Sequence, residues 1–124
     1  MRLAALLGAL LVAACAAPEP DQGSQPPREL AGRAAGAPQR CVLIRANDSL
    51  HVSENNRHAL LYGSGPTIWL NDLGPGCGFS PNEALVTEPV GSYHCRGDFV
   101  RSFDRVTRIS GASCRLGDFV PYTR

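Results

Sequence analysis

Four cysteines constrain the fold of this 124-residue chain more than any other feature: Cys41, Cys77, Cys95 and Cys114. A segment as short as residues 41–124 buries too little apolar surface for a large core, and small exported domains compensate with disulfides. The cysteines form no Cys-x-x-Cys pair, and no two histidines have the spacing that holds zinc. The pattern therefore predicts two disulfides, with no metal site and no cofactor.

Four cysteines allow three pairings, and spacing alone does not choose between them. We favour the nested arrangement, in which Cys41 pairs with Cys114 and Cys77 pairs with Cys95. It would tie the first strand of the domain to the last and close one inner loop. In the chain-entropy model, links of this kind restrict the unfolded state by about 3 to 4 kcal/mol each.

Short apolar runs separated by turn residues fill the sequence between the cysteines. Residues 49–53 alternate apolar and polar side chains, which is typical of a half-buried strand, and Gly-Ser-Gly-Pro at 63–66 is a turn signal. Strands are predicted at 41–44, 49–53, 58–62, 67–70, 84–88, 99–103, 105–109 and 119–120. Many short strands at this spacing indicate an all-β or mainly β fold, a small antiparallel barrel or sandwich with two disulfides.

The N-terminus has the composition of an export signal. Residues 3–14 form an apolar run after Arg2 that is too short to span a bilayer. Val-Ala-Ala-Cys at 12–15 resembles the lipobox of bacterial lipoproteins. The resemblance implies that the signal peptide 1–14 is removed and that Cys15 carries acyl chains, each buried CH₂ of which contributes about 0.8 kcal/mol to membrane binding. The alternative is ordinary secretion after an Ala-x-Ala-like site.

The residues after Cys15 suggest where the chain is held. Ala16 rather than aspartate follows the cysteine, which in lipoproteins favours the outer membrane, facing the periplasm. Residues 16–40 contain six Ala and five Pro, with Leu30 as the single large apolar side chain. Such a stretch buries too little surface to offset its ordering entropy. We therefore expect a lipidated cysteine and disordered tether at 15–40, followed by the β-domain at 41–124.

Two segments of the domain resemble each other. Cys-Arg-Gly-Asp-Phe-Val occupies 95–100, and Cys-Arg-Leu-Gly-Asp-Phe-Val occupies 114–120. The ordinary explanation is a shared turn in which glycine and aspartate shape the backbone before a strand with a buried phenylalanine. The other interpretation is a paired binding site built from Arg96, Asp98, Arg115 and Asp118.

The cysteine pattern also carries a family resemblance. Over 41–122 the chain resembles a family of small exported bacterial proteins of unknown function. The residues that carry this resemblance are Cys41, Arg45, Leu73, Cys77, Cys95 to Asp98, Cys114 to Phe119, Pro121 and Tyr122. The resemblance supports the domain boundaries and the disulfides, and it implies no catalytic residue.

The net charge and the motifs of the sequence limit the classes of function to be expected. Twelve basic residues face eleven acidic ones, and a net charge of +1 gives no reason to expect nucleic acid as a partner. No nucleophile elbow or other catalytic constellation is present, so we expect no enzyme. The expected function is a lipid-anchored envelope module that binds an unknown envelope protein or has a structural role. The alternative is an inhibitor of, or accessory to, a periplasmic enzyme.

Overall fold

The structure, a computed structural model, describes Cys15 and residues 25–124. The predicted signal peptide and residues 16–24 of the predicted tether lie outside the described residues. Cys15 is exposed and belongs to neither disulfide. Within the described residues, a short 3-10 turn at Arg28–Leu30 precedes ten strands. The strands are β1 (Ala34–Ala35), β2 (Cys41–Leu43), β3 (Leu50–Val52), β4 (Ala59–Tyr62), β5 (Thr67–Asp72), β6 (Glu83–Thr87), β7 (Tyr93–Cys95), β8 (Phe99–Asp104), β9 (Ser110–Arg115) and β10 (Phe119–Thr123).

These strands form three antiparallel sheets. The largest has the order β1-β10-β5-β4-β3, a ribbon joins β2 to β7, and a third sheet has the order β6-β8-β9. Because the sheets of the described residues remain open, the arrangement is a sandwich and not a barrel. The predicted mainly β, antiparallel fold with two disulfides is confirmed. In the part of the chain described, no helix is long and apolar enough to cross a bilayer.

The predicted strand at 105–109 is wrong, because these residues form the hairpin loop between β8 and β9. The carboxylate of Asp104 accepts hydrogen bonds from the backbone N–H groups of Val106 at 2.8 Å and Thr107 at 2.9 Å. Arg108 then adopts a left-handed conformation with φ of 62°. An aspartate that binds the backbone two and three residues ahead favours a turn over a strand, and it overrides the apolar pattern.

The core lies on one face of the five-stranded sheet. We call this face, which carries Leu60 and Tyr62 of β4, the inner face. Side chains on this face alternate with those on the outer face, as the two-residue period of a strand requires. The ribbon, the three-stranded sheet and the loops that carry Phe79 and Leu116 supply the rest of the core. Its buried members are Val42, Val52, Leu60, Tyr62, Phe79, Val100, Cys114, Leu116 and Phe119.

Residues 25–40, which we name the N-terminal strap, run from the turn between β3 and β4 to the β10 edge of the five-stranded sheet. Ala59 and Leu61 point to the outer face of this sheet, yet both are buried, and Leu30 of the strap is buried as well. The carboxylate of Glu29 accepts hydrogen bonds from the Ser53 hydroxyl at 2.8 Å and from the Glu54 backbone N–H at 2.7 Å. These contacts hold the start of the strap against the turn between β3 and β4.

The rest of the strap joins the sheet itself. Ala34 and Ala35 pair with Thr123 and Tyr122 of β10, and Gln39 forms a bridge with Phe119. The expectation that all of residues 15–40 form a disordered tether is therefore wrong for residues 25–40. The segment is ordered because backbone hydrogen bonds to a sheet edge need few apolar side chains. A low apolar content therefore does not exclude an ordered segment.

The strap leads to a stability prediction. Leu30→Ala removes the buried apolar side chain of the strap, and we expect the free energy of unfolding to fall by about 2 to 3 kcal/mol. Urea denaturation of the variant beside the parent chain measures the change. Leu43→Ala is the matched control because Leu43 is half-exposed. An unchanged unfolding midpoint for Leu30→Ala would show that the strap is not packed on the sheet.

The nested disulfide pairing is also wrong, because Cys41 pairs with Cys95 and Cys77 pairs with Cys114. In the ribbon, Cys41 lies directly opposite Cys95 with their Cα atoms 4.1 Å apart. The Cα atoms of Cys77 and Cys114 are 6.0 Å apart, within the usual range for a disulfide. The register of the strands determines which cysteines pair. Register depends on contacts between segments distant in sequence, and cysteine spacing does not encode it.

Candidate binding cleft

The two similar segments lie side by side and hold each other by their backbones. The Gly97 N–H donates to the Leu116 carbonyl at 2.8 Å, and the Leu116 N–H donates to the Asp98 carbonyl at 2.9 Å. Arg96 and Asp118 form an exposed ion pair across this contact, with Nη1 and Oδ2 3.2 Å apart. The structure therefore brings the two segments together, as the paired-site hypothesis requires.

The remaining candidate side chains point to local partners. The carboxylate of Asp98 accepts a hydrogen bond from the Cys95 backbone N–H at 2.9 Å. The guanidinium of Arg115 lies over the Phe99 ring, 4.4 Å from its centroid, in a cation–π contact. The four charged groups thus have separate roles, in a turn, a stacked pair and a surface ion pair, and they do not converge on one ligand position.

The two segments differ in what they bury. Phe119 is fully buried at 0% exposure, whereas Phe99 is 46% exposed. The inserted Leu116 lies in the loop before β10, and Phe119 begins a strand of the five-stranded sheet, whereas Phe99 begins a strand of the three-stranded sheet. The glycines differ too, since Gly97 has a φ of 89°, whereas a Cβ on Gly117 would lie 2.8 Å from the carbonyl oxygen of Asp72.

A cleft of about 410 Å³ lies beside the core, where the ribbon meets the end of the five-stranded sheet. This volume falls in the range of small-molecule sites, which combine aromatic surface with a few placed polar groups. The chain segments that form it are distant in sequence and are joined by the fold. It is lined by Gln39, Cys41, Val42, Leu43, Arg45, Asp48, Tyr62, Gly63, Ser64, Pro66, Thr67, Trp69 and Tyr93.

Tyr62 and Trp69 are opposite each other on β4 and β5 and form the aromatic base of the cleft. The Tyr62 hydroxyl donates to the Leu43 carbonyl at 3.1 Å and accepts from the Arg45 backbone N–H at 2.8 Å. A buried tyrosine normally finds such partners for its hydroxyl. Here the two bonds hold the end of β2 against the sheet beside the cleft.

Leu43 and Tyr93 form the outer wall. They are directly opposite each other in the ribbon, and both are about half-exposed. The Cys41–Cys95 disulfide joins the other end of the same ribbon. A wall that is cross-linked at one end and hydrogen-bonded to Tyr62 at the other is rigid, and a preformed wall lowers the entropy cost of binding.

The rim of the cleft carries polar groups of both charge signs. Arg45 and Asp48 belong to one turn, in which the Asp48 N–H donates to the Arg45 carbonyl at 3.2 Å. The Ser64 hydroxyl donates to the Asp48 carboxylate at 3.3 Å. The ion pairs that the described residues form are Arg96–Asp118 and Arg101–Glu88, and the guanidinium of Arg45 belongs to neither.

His94 lies behind the base of the cleft and is buried. Its ring meets the Tyr62 ring edge to face, with the centroids 5.3 Å apart. Its Nδ1 is buried and has no hydrogen-bond partner. Burial lowers the pKa of His94 below its ordinary value, although the nearby charge of Asp98 opposes the shift. The neutral imidazole therefore serves as a packing side chain for Tyr62.

This burial predicts a pH dependence of stability. The folded-state pKa of His94 is lower than its ordinary value of 6.5, so its contribution to stability is present above about pH 6.5 and is lost as the pH falls toward the folded-state pKa. Urea denaturation from pH 8 to pH 5 should show this decrease, and His94→Phe should flatten it. An equal decrease in His94→Phe would contradict the assignment.

Glu29 of the strap makes the stability of the fold depend on pH in a lower range. Burial raises its pKa, but hydrogen bonds from the backbone N–H of Glu54 and from the Ser53 hydroxyl outweigh burial, so the pKa is lowered. Its contribution to stability is present above the ordinary value of 4.5 and is lost as the pH falls further. The contribution of His94 therefore begins to fall near pH 6.5, whereas that of Glu29 begins to fall only near pH 4.5.

Sequence reasoning did not find the cleft. The best available signal was Trp69, the single tryptophan of the chain, close after the Gly-Ser-Gly-Pro turn. Arg45 entered only through the family resemblance, and Tyr93 lies on a strand that was not predicted. No group of three or more His, Cys, Asp or Glu side chains that could hold a metal occurs in the described part of the chain.

No protein-family model, curated protein or solved structure matches this chain. The resemblances to bacterial lipoproteins and to a four-cysteine exported family therefore remain predictions. The candidate site rests on its own geometry.

Proposed function

We propose that this chain is a lipid-anchored binding module of the bacterial cell envelope, held through Cys15 and facing the periplasm. The observation that carries the proposal is the preformed cleft between Tyr62, Trp69 and Tyr93. An open, aromatic-lined cleft with polar groups at its rim is the usual form of a binding site. His94 is the histidine closest in sequence to the cleft wall, and it is buried behind Tyr62. Because its imidazole does not face the cleft, the arrangement favours binding over catalysis.

The path of the chain supports an accessible cleft. The strap begins at Gln25, whose carbonyl accepts a hydrogen bond from the Asn56 side chain at 2.7 Å, close to the start of β4. The cleft lies where β4 ends, at Tyr62. Residues 16–24 separate Cys15 from Gln25, and a chain of that length reaches at most about 35 Å. The tether thus joins the sheet near the start of β4, and the cleft lies near the other end of this strand, so lipid anchoring leaves the cleft uncovered.

Photo-crosslinking in living cells tests this function. Tyr93 is replaced by p-benzoylphenylalanine in the full-length chain, and the cells are irradiated before the envelope is extracted. We expect an adduct at position 93, because this side chain lines the cleft and is half-exposed. The matched control is the same replacement at Phe99, which is equally exposed but outside the cleft. Equal adducts at both positions, or none at position 93, would contradict the proposal.

A second candidate function, an inhibitor of or accessory to a periplasmic enzyme, is favoured by the β8–β9 loop. Val106 and Ile109 are 90% and 69% exposed at its tip. Hydrogen bonds from the Thr107 and Val106 backbone N–H groups shape the loop and lower the pKa of Asp104. A hydrogen-bonded loop that exposes two apolar side chains beside Arg105 and Arg108 is a shape that suits a partner's pocket. The same crosslinker at Val106 separates the two functions, because an inhibitor predicts a protein adduct there.

A further inference from the structure

We propose that the ligand of the cleft is an acidic saccharide chain, whose sugar rings rest on the aromatic side chains and whose carboxylate pairs with Arg45. This inference rests on the proposed function and names the ligand class of the same cleft. It depends on three features: the aromatic base and wall, the short polar side chains at the rim, and a guanidinium without an ion-pair partner.

The aromatic side chains suit a ligand that is apolar on one face. Trp69 at the base is partly exposed and Tyr93 on the wall is half-exposed, so these two rings offer the contact surface, whereas Tyr62 is buried and supports the base from beneath. A pyranose ring presents C–H groups on its faces and hydroxyls around its edge. Such a ring can bury a face against an aromatic side chain while its edge stays hydrogen-bonded, so that no polar group is buried unpaired.

The rim supplies groups that match a ring of hydroxyls. Ser64 and Thr67 both donate and accept hydrogen bonds, Gln39 offers an amide, and Asp48 accepts. A hydroxyl is also both a donor and an acceptor, so it can bind any of these groups. An aliphatic ligand of similar size would leave them unpaired, which is unfavourable in a partly desolvated cleft.

Arg45 indicates that the saccharide carries a negative charge. Its backbone N–H is fixed by the Tyr62 hydroxyl, so the residue is held at the mouth of the cleft. Its guanidinium takes part in neither ion pair of the described residues. A guanidinium binds a carboxylate with two parallel hydrogen bonds, and such charge-assisted bonds are stronger than neutral ones.

Trp69 makes the test specific, because it is the only tryptophan and it lines the cleft. The detergent-solubilised mature chain is titrated with cell-wall glycan strands freed of their peptides, which carry carboxylates, and the tryptophan emission is followed. The matched probe is the same strands after amidation of their carboxylates. We expect a saturable change with the acidic strands and at least tenfold weaker binding of the amidated strands.

Variants of the cleft separate the contribution of the Arg45 charge to binding from that of the Tyr93 ring. Arg45→Gln should weaken binding of the acidic strands at least tenfold and leave binding of the amidated strands unchanged. Tyr93→Ala should weaken both probes. The controls are Arg105→Gln and Phe99→Ala, exposed residues outside the cleft that match the charge and the ring, and both should bind like the parent chain.

The contrary outcomes are distinct. Equal binding of the acidic and amidated strands would contradict the pairing of a carboxylate with Arg45. Binding of a polyglutamate peptide in place of the strands would contradict a saccharide ligand. In both cases a response of Trp69 leaves the proposed binding module intact. No response of Trp69 to the acidic strands overturns this inference, and if position 93 also yields no envelope adduct, the proposed function fails with it.

Discussion

Loss of both disulfides is expected to leave the β-domain unfolded at about 37 °C, as is common for small exported domains. The Cys41–Cys95 and Cys77–Cys114 links span sequence separations of 54 and 37 residues. In the chain-entropy model each restricts the unfolded chain by about 4 kcal/mol. A domain of this size is stable by only about 5 to 15 kcal/mol, so losing both links removes most or all of its stability.

The measurement is urea denaturation of three variants in which cysteines are replaced by alanine: each pair alone, and both pairs together. Each single-pair variant should fold but lose about 4 kcal/mol, whereas the double-pair variant should show the circular dichroism of an unfolded chain. The two closed loops overlap between 77 and 95, so the losses need not add. Cys15→Ser is the matched control. A folded double-pair variant would contradict the account.

Asn71→Asp is expected to be the most damaging single substitution of nearly unchanged shape. Asn71 is fully buried on β5. Its side-chain N–H donates to the Gly117 carbonyl at 2.8 Å, and its side-chain oxygen accepts from the Gly117 N–H at 2.8 Å. An aspartate keeps the second bond but not the first, and it places a charge in the core. We expect a loss of about 3 kcal/mol or more in unfolding free energy.

Thermal unfolding at neutral pH measures this effect. For a domain of about 100 residues, a loss of that size lowers the Tm by roughly 12 °C or more. Asn82→Asp makes the same chemical change at an exposed site and should leave the Tm close to that of the parent chain. If Asn71→Asp melts with the parent chain, the amide bridge to Gly117 does not stabilise the fold.

Much of the fold was predictable because strand formation is encoded locally. Alternation at Leu50 and Val52, with the turn signals that follow, placed β3 and β4 correctly. The misses have long-range causes. β7, which spans Tyr93–Cys95, carries no local pattern and becomes a strand only because β2 pairs with it. Leu30 is buried because the strap is held by residues distant in sequence, at the β3–β4 turn and on β10, and the residues around Leu30 do not encode these contacts.

The candidate site was less predictable for the same reason. Arg45, Tyr62, Trp69 and Tyr93 come from four separate segments and meet only after the ribbon lies on the sheet. The Tyr62 hydroxyl, which holds the end of β2 against the sheet, binds backbone groups 17 and 19 residues away. Conversely, the similar segments around Arg96 and Arg115 were easy to see in sequence, yet their side chains mainly shape local structure.

The central claim is that this chain is exported, anchored at Cys15 and cross-linked through its other cysteines. Mass spectrometry of the non-reduced protein, extracted from membranes and digested, tests it most directly. The account predicts a lipid-modified N-terminal peptide that begins at Cys15, together with linked peptides joining Cys41 to Cys95 and Cys77 to Cys114. An intact leader with four free thiols beyond residue 40 would contradict it.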